Sequence, residues 1–231
     1  MIKTVCFDFF NTLARYEPSR EDTYVSICSE FGITADAQTL SKSLPVADKF
    51  WRDENRRSDI DNRTKDDQMA FWAQYITLIL KGTGTAIDIR TALAIMGRMR
   101  QFNWEFKLFD DSLEILNILN DRKVQIGLIS NVGKEMEDTY RKLGIQSYLT
   151  FTVTSFEVGC DKPDPKIFRI AIEKSKVKPE EMLYIGDQYE QDILGARNVN
   201  IQGILIDRRG WNSNVTDCPV VQRLISIIDY L

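Results

Sequence analysis

Apolar and polar positions follow two different patterns along the 231 residues of this chain. Residues 2–7 form a short apolar run that ends at Asp8, which is typical of a buried strand. After about residue 106, short apolar runs alternate with segments that carry apolar residues at helical spacing. They predict a helix at 111–120, a strand at 124–129, a helix at 133–143, a strand at 151–153, a helix at 165–174, a strand at 182–185, a helix at 190–198 and a strand at 202–206. This alternation indicates an α/β fold with a doubly wound, mostly parallel sheet.

Residues 17–104 lack strand patterns, and helical spacing dominates there. Helices are predicted at 20–31, at 38–57 with an interruption near Pro45, at 65–81 and at 85–100. In the third of these, Phe71, Trp72 and Tyr75 recur at helical spacing and are predicted to form a small core. We therefore expect a helical cap domain at 17–104, inserted in an α/β core made of residues 1–16 and 105–231.

Composition and charge narrow the classes of function. The chain has no histidine, which excludes Ser-His and Cys-His catalysis and His-ligated zinc sites. Its formal net charge of −4 argues against nucleic acid as a partner. No apolar run reaches the length of a membrane helix, about 20 residues, and we expect no signal peptide at the start. We expect a cytoplasmic protein without a membrane partner, with four free cysteines, and its oligomeric state stays unknown.

Polar side chains lie at the ends of the predicted strands or in the loops that follow them. They are Asp8, Ser130, Lys162 and Asp187. Because the carboxyl ends of parallel strands share one edge of a sheet, we expect these side chains to lie around one point. Two carboxylates there repel each other unless a cation lies between them, and oxygen ligands favour Mg²⁺. The lysine and the serine suit the binding and transfer of a phosphoryl group.

The segments that carry these residues resemble the four signature motifs of the haloacid dehalogenase-like (HAD) hydrolase superfamily. The resemblance rests on residues 8–12, on 109–116 with 127–131, on 162–168, and on 184–187 with 192–196, in the family's order. It covers residues 1–16 and about 105–210, and the helical insert lies where the family has its helical cap. It implies a Rossmann-like core and a hydrolase that acts on a small-molecule substrate through a covalent intermediate.

The resemblance implies a role for each acidic residue of the motifs. Asp8 is the expected nucleophile. Asp8 and Asp187 are the expected Mg²⁺ ligands, together with the main-chain carbonyl of Phe10. Asp192 is expected to support the ion, either as a direct ligand or through contact with a direct ligand.

Other motif residues are implied to hold the nucleophile or the substrate. Lys162 and Ser130 are expected catalytic residues that also bind the substrate. Thr12 and Asn131 are expected to contribute to substrate binding. Lys162 is expected to pair with Asp8 and to neutralise charge on the substrate.

One position departs from the family's phosphatases. They usually carry a second aspartate two residues after the nucleophile, which protonates the leaving group, and this chain has Phe10 there. A phenyl ring cannot transfer a proton, and such acid–base help is typically worth roughly 10²–10⁴-fold. The expected function is a Mg²⁺-dependent phosphohydrolase that acts on a small phosphorylated metabolite through an aspartyl-phosphate, with weak or substrate-assisted proton transfer.

Three other functions stay open from the sequence. A 2-haloacid dehalogenase needs neither metal nor acid and carries an aromatic residue at this place, but it lacks a counterpart of Asp187 and has glycine where Asn11 stands. A binding or regulatory protein would have kept the fold without efficient catalysis. Phosphonate cleavage uses a cap lysine, and Lys42, Lys49 and Lys65 are cap lysines without a supporting motif.

Overall fold

The computed structural model describes residues 1–132 and 136–231. The chain divides into two compact units, one formed by residues 1–15 and 106–231 and the other by residues 16–105. These bounds lie within one residue of the predicted core and insert. The assignment of the second unit as a cap stays a prediction.

The first unit is built on a parallel sheet. The strands of the chain are β1 (Thr4–Phe7), β2 (Ala14–Glu17), β3 (Glu105–Leu108), β4 (Gln125–Ser130), β5 (Phe151–Thr154), β6 (Met182–Gly186), β7 (Gln202–Ile206) and β8 (Val220–Val221). Within the described residues, six of them form one sheet in the order β5-β4-β1-β6-β7-β8, and adjacent strands run parallel. This confirms the α/β fold class with a mostly parallel sheet.

The helices follow the predicted alternation. The second unit holds α1 (Arg20–Glu30), α2 (Ala37–Arg57), α3 (Lys65–Leu80) and α4 (Ile89–Met99). The first unit holds α5 (Ser112–Asp121), α6 (Met136–Lys142), α7 (Ser155–Val158), α8 (Pro165–Ser175) and α9 (Gly195–Arg197). Of the helix predicted at 133–143, residues 133–135 lie outside the described residues, and α6 accounts for most of the remainder.

The sheet is buried on both faces because successive residues of a strand point to opposite sides. In β1, Val5 and Phe7 pack in one apolar cluster, whereas Cys6 packs in a second cluster with Tyr184 and Phe168. The two clusters cover the two faces, and β1 at the centre contributes to both. The residue after β1 therefore emerges from the middle of the core.

Two expectations from composition are also tested. The cysteines Cys6, Cys28, Cys160 and Cys218 are free, which confirms that prediction. In the part of the chain that the structure describes, no helix combines the length and the apolar character needed to cross a membrane. The cytoplasmic location stays a prediction.

The second unit corrects one prediction about its helices. The expected interruption near Pro45 is wrong, since α2 runs unbroken through that residue. A proline in a helix interior removes one main-chain hydrogen bond. Leu40, Leu44 and Ala47 on α2 are buried in the core of the unit, and this packing stabilises the helix across the loss.

A half-buried polar group links three helices of the second unit. Arg20 on α1 donates to both carboxylate oxygens of Asp48 on α2, at 2.7 and 2.9 Å. The hydroxyl of Tyr75 on α3 donates to the same carboxylate at 2.7 Å. Burial raises the pKa of Asp48, but the Arg20 guanidinium and the Tyr75 hydroxyl outweigh burial and hold that pKa below its ordinary value.

The structure differs from the predicted elements after β6 and at the C-terminal end. The helix predicted at 190–198 is a π-helical segment, Tyr189–Leu194, followed by the single turn of α9. Strand β8 and the 3₁₀ helix Leu224–Tyr230 have no counterpart among the predicted elements, nor has the two-stranded sheet of β2 and β3. Short irregular elements such as these carry too few apolar positions to show a period.

Candidate active site

Three adjacent strands end at the same edge of the sheet. Strand β1 pairs in register with β4 on one side and with β6 on the other. The main-chain N–H of Asp8 donates to the carbonyl of Ile185 at 2.8 Å, so the residue after β1 lies beside the end of β6. Asp8, Ser130 and Asp187 therefore emerge together at the carboxyl edge.

Asp8 lies at the centre of this edge and is only 4% exposed. Its Oδ1 accepts a hydrogen bond from the Ser130 hydroxyl at 2.9 Å and another from the Lys162 ammonium at 2.7 Å. Burial raises the pKa of Asp8, while Lys162 and Ser130 act against that rise. The structure thus brings together Asp8, Ser130 and Lys162, which were the three predicted catalytic residues.

The Lys162 ammonium makes three short hydrogen bonds. Its Nζ lies 2.7 Å from Asp8 Oδ1, 2.6 Å from Asp192 Oδ1 and 2.8 Å from the Tyr184 hydroxyl. An ammonium has three N–H groups, so each of them has a partner. Burial acts to lower the pKa of Lys162, but Asp192 and Asp8 outweigh burial and raise it, which keeps the side chain charged.

Asp8, Asp187 and Asp192 form a compact acidic group. Each offers one carboxylate oxygen, and these oxygens all lie within 4.8 Å of one another. Burial, together with the charges of Asp192 and Asp8, raises the pKa of Asp187 well above its ordinary value. The Oδ1 atom of Asp187 is buried and has no hydrogen-bond partner in the described part of the chain.

Asp192 is held by donors of the protein on both of its oxygens. Oδ1 accepts from Lys162 and lies 3.0 Å from the Tyr184 hydroxyl, and Oδ2 accepts from the main-chain N–H of Gln188 at 2.9 Å. Gly186 makes room for this carboxylate, because a Cβ there would overlap the side chain of Asp192. Asp192 therefore binds the Lys162 ammonium and stabilises the turn after β6.

These residues fit a divalent cation. Three carboxylates and one ammonium leave two negative charges without compensation, and Asp187 supplies an orphaned buried oxygen. Mg²⁺ prefers oxygen ligands and is usually held by one or two carboxylates. Because both oxygens of Asp192 are engaged, Asp8 and Asp187 are the carboxylates best placed to hold the ion.

Asn131 lies beside Lys162, with its side chain hydrogen-bonded to the protein. Its Oδ1 accepts from the main-chain N–H of Lys162 at 2.7 Å, and its Nδ2 donates to the Lys162 carbonyl at 3.1 Å. Nδ2 also donates to the side chain of Gln191 at 2.9 Å. This amide thus fixes the main chain of Lys162, and the role of Asn131 in substrate binding stays a prediction.

The turn after Asp8 accommodates Asn11, where the family's dehalogenases have glycine. Asn11 has φ +53°, in the left-handed region that favours glycine, and asparagine is among the residues that adopt it most readily. Its side chain hydrogen bonds to Asp187. Thr12 follows, with a buried Oγ1 that has no hydrogen-bond partner among the described residues. The ring of Phe10 packs edge-on against Phe9, with centroids 5.1 Å apart.

Sequence reasoning missed Arg208, which supports this turn. Its guanidinium donates to the Thr12 carbonyl at 2.7 Å, pairs with Asp111 at 3.0 Å and lies 3.7 Å from the ring centre of Phe109. Asp187 is the first residue after β6, and Arg208 is the second residue after β7. Its position just after a parallel strand was the signal that could have identified it.

Comparison with known proteins identifies the family of this chain. The model of the haloacid dehalogenase-like hydrolase family matches residues 2–200. The Rhythmically expressed gene 2 protein of Drosophila melanogaster is 28% identical over 225 residues, which cover 90% of this chain and 84% of that protein. A Glyceraldehyde 3-phosphate phosphatase of Methanothermobacter thermautotrophicus is 34% identical over 130 residues, which cover 54% of this chain and 55% of that protein. The chain spans less than half the length of several other curated relatives that it matches.

Solved structures share the fold at low identity. A HAD phosphatase from Thermococcus onnurineus superposes with a TM-score of 0.58 at 20% identity, and the match covers 99% of this chain and 97% of that one. A 2-Haloacid Dehalogenase from Pseudomonas syringae also gives a TM-score of 0.58, at 21% identity, with the same coverage. The fold is common to phosphatases and dehalogenases, and the family match spans most of the chain. The chain therefore belongs to the haloacid dehalogenase-like hydrolases.

Proposed function

We propose that this hydrolase is a Mg²⁺-dependent phosphohydrolase of a small phosphorylated compound, with Asp8 as its covalent nucleophile. One observation carries the proposal: a second carboxylate, Asp187, lies beside Asp8 with a buried, orphaned oxygen. A cation between the two carboxylates offsets their repulsion and the charge of a phosphate. The similarity to a Glyceraldehyde 3-phosphate phosphatase of Methanothermobacter supports the same substrate class.

The first step is attack by the carboxylate of Asp8 on phosphorus. Ser130 and Lys162 both contact Oδ1, and they orient the carboxylate so that Oδ2 is the attacking atom. A bond forms between Oδ2 and phosphorus, the bond from phosphorus to the leaving oxygen breaks, and the electron pair departs with that oxygen. The chemistry that bound Mg²⁺ supplies is neutralisation of charge on the phosphoryl group.

Phe10 determines which leaving groups depart easily. It occupies the position from which an aspartate would protonate the leaving oxygen, and its ring packs against Phe9 and Phe106. An alkoxide needs that proton, whereas a carboxylate leaving group does not. The site is therefore suited to acyl phosphates and other phosphates with weakly basic leaving groups.

The second step returns Asp8 to its starting state. Water attacks the phosphorus of the aspartyl-phosphate, and the bond from phosphorus to Asp8 breaks with its electron pair returning to the carboxylate. One proton of the water passes to a phosphoryl oxygen and the other stays on the attacking oxygen, so the product that leaves is dihydrogen phosphate. Because Phe10 cannot act as a base here either, we expect this step to be slow and the intermediate to accumulate.

A 2-haloacid dehalogenase is the second candidate function, and Phe10 is the observation that favours it. A halide leaves without a proton, so an apolar residue at this position does not slow such a reaction. The same nucleophile, Asp8, would form an ester with carbon. The Asp187 carboxylate, whose Oδ1 is buried without a partner among the described residues, argues against it, because the reaction needs no metal to balance this charge.

The test is turnover on two substrate panels, each with Mg²⁺ and with chelator. One panel contains phosphate esters and acyl phosphates, and the other contains short 2-haloacids. Phosphate release that requires Mg²⁺ supports the proposal, and halide release that is indifferent to chelator replaces it with dehalogenation. Absence of turnover on both panels, with gain of phosphatase activity in Phe10→Asp, would indicate a binding protein.

A further inference from the structure

Tyr184 is a buried tyrosine in the middle of the site. It lies in β6, is fully buried, and its ring stands perpendicular to that of Phe168 with centroids 5.3 Å apart. A phenol in such a place must satisfy its hydroxyl, because an unpaired buried hydroxyl is costly. Its partners therefore indicate what the side chain does beyond packing.

The hydroxyl of Tyr184 contacts three groups that belong to three different strand ends and loops. It accepts from the Lys162 ammonium at 2.8 Å. It lies within donating distance of the Ile129 carbonyl, at 2.9 Å, and of Asp192 Oδ1, at 3.0 Å. A phenol has one proton, so it donates to one of these two at a time while it accepts from the lysine.

We propose that Tyr184 is a positioning residue that fixes the Lys162 ammonium against Asp8. The lysine stem has four rotatable bonds, and its ammonium is held in one orientation only if all three N–H groups have acceptors. Asp8 and Asp192 are two of them, and the Tyr184 hydroxyl is the third. The Ile129 carbonyl holds that hydroxyl in place, just before Ser130 in the chain.

The position of the Lys162 ammonium affects the rate of the proposed reaction through Asp8. Lys162 contacts the same oxygen of Asp8 that Ser130 contacts, so a displaced ammonium would also turn the nucleophile. A misplacement of about 1 Å in a reacting group can cost about 10²-fold in rate. This inference rests on the proposed function, because its first measurement is turnover.

The first test is Tyr184→Phe, which removes only the hydroxyl. We expect kcat to fall about 10–100-fold while KM changes by less than about threefold, since the hydroxyl acts on the nucleophile and not on substrate affinity. Tyr140→Phe is the matched control. Tyr140 is also a buried tyrosine of the first unit, but its hydroxyl has no hydrogen-bond partner among the described residues. We expect that control to keep wild-type kcat, and equal losses in both variants would overturn the proposal.

The second test asks whether the hydroxyl acts through Lys162. In a Lys162→Met background we expect Tyr184→Phe to change kcat by less than about threefold, because the group to be positioned is gone. The same loss in both backgrounds would show that the hydroxyl acts independently of Lys162 and would overturn the proposal.

A third measurement needs no activity. Urea unfolding of the wild type, the two single variants and the double variant forms a cycle, in which we expect Tyr184→Phe to lower the folding equilibrium constant more when Lys162 is present. If the wild type turns over no substrate on either panel, the proposed function fails, while this cycle still decides whether Tyr184 and Lys162 are coupled. An additive cycle would overturn the inference and leave the proposed function standing.

Discussion

The Lys162 ammonium and Asp8 Oδ1 lie 2.7 Å apart, with side chains that are only 3% and 6% exposed. Ion pairs at this depth are costly to form and persist only where further hydrogen bonds satisfy both partners. Here Ser130 supplies one such bond to Asp8, and Asp192 and Tyr184 supply two to Lys162. The pair is thus the centre of a hydrogen-bond network, and substitutions in and around this site test its role.

Asp8→Asn should abolish turnover and leave the fold intact. The amide cannot form the covalent intermediate. The substitution removes one negative charge from a group of three carboxylates and one ammonium, and Lys162 keeps Asp192 as a charged partner. Phosphate release and circular dichroism test the two parts. Asp138→Asn, at an exposed position on α6, is the control with unchanged activity. Residual turnover above that of the buffer would rule out Asp8 as the nucleophile.

Mg²⁺ should stabilise the protein through Asp187. A ligand that binds only the folded state adds about 2.7 kcal/mol at 100 times its Kd. We expect the wild type to unfold at a higher temperature in Mg²⁺ than in chelator, and Asp187→Asn to lose this response. In chelator, Asp187→Asn should be more stable than the wild type, because it removes the charge of a carboxylate whose Oδ1 is buried without a partner among the described residues.

The control for this experiment is NaCl at the same ionic strength, which screens charge without binding the site. A rise in unfolding temperature that is equal with NaCl, or that persists in Asp187→Asn, would contradict a specific cation site. The measurement does not depend on knowing the substrate.

Phe10→Asp should change the dependence of rate on the leaving group. With Phe10, we expect rates on a series of aryl and alkyl phosphates to fall steeply as the leaving group becomes more basic. An aspartate there supplies the missing proton, which should raise alkyl phosphate turnover by roughly 10²–10⁴-fold and flatten the slope. Acyl phosphates should gain much less.

Phe10→Leu provides the matched apolar control for that series. It also removes the ring that packs on Phe9 and Phe106, but it adds no acid. We expect its slope to equal that of the wild type. A slope that is shallow already with Phe10 would mean that another group delivers the proton.

Asp48 should make the stability of the second unit depend on pH in the acid range. Its pKa is below the ordinary value in the folded protein, chiefly because Arg20 outweighs burial, and the unfolded value is about 3.9. A depressed folded pKa adds stability that is present above the unfolded pKa and is lost as pH falls through the folded one. Unfolding free energies measured from pH 6 down to about pH 2 should therefore fall more in the wild type than in Asp48→Asn.

At neutral pH, Asp48→Asn should cost about 1–3 kcal/mol, because it weakens the bidentate contact with Arg20. Asp53→Asn, in an exposed pair with Lys49 on the same helix, should cost less than about 1 kcal/mol. Equal pH profiles in the wild type and Asp48→Asn would contradict the role of this ion pair.

The sequence was sufficient to place Asp8, Ser130, Lys162 and Asp187 together, because a parallel sheet brings the ends of its strands to one edge whatever the details of packing. It was also sufficient to predict most strands and helices, since their apolar patterns extend over enough residues to be recognised. It did not reveal the partners of Tyr184, although a hydroxyl within a buried strand signals that some partner exists. Partners are set by tertiary distances, which periodicity does not encode.

The same limit applies to Asn131 and to the segment after β6. As part of a motif, Asn131 suggested contact with substrate, yet its amide is bound to the main chain of Lys162 and to Gln191. Residues 190–198 have helical spacing, but a π-helical segment replaces the expected helix over Tyr189–Leu194. Gly186 gives space there for the Asp192 carboxylate, a steric relation visible only in three dimensions.

The three hydrogen bonds of Lys162 have a consequence for how the enzyme works on its substrate. In the proposed reaction, a phosphoryl group at Asp8 would meet an ammonium whose three N–H groups already have partners, so a new hydrogen bond from Lys162 would require the loss of an existing one. The positive charge of Lys162 would nevertheless act on that group, because the ammonium is buried and already held in one orientation. In the proposed mechanism, Lys162 would therefore supply a fixed electric field at Asp8, which is aligned when the chain folds and needs no realignment during the reaction.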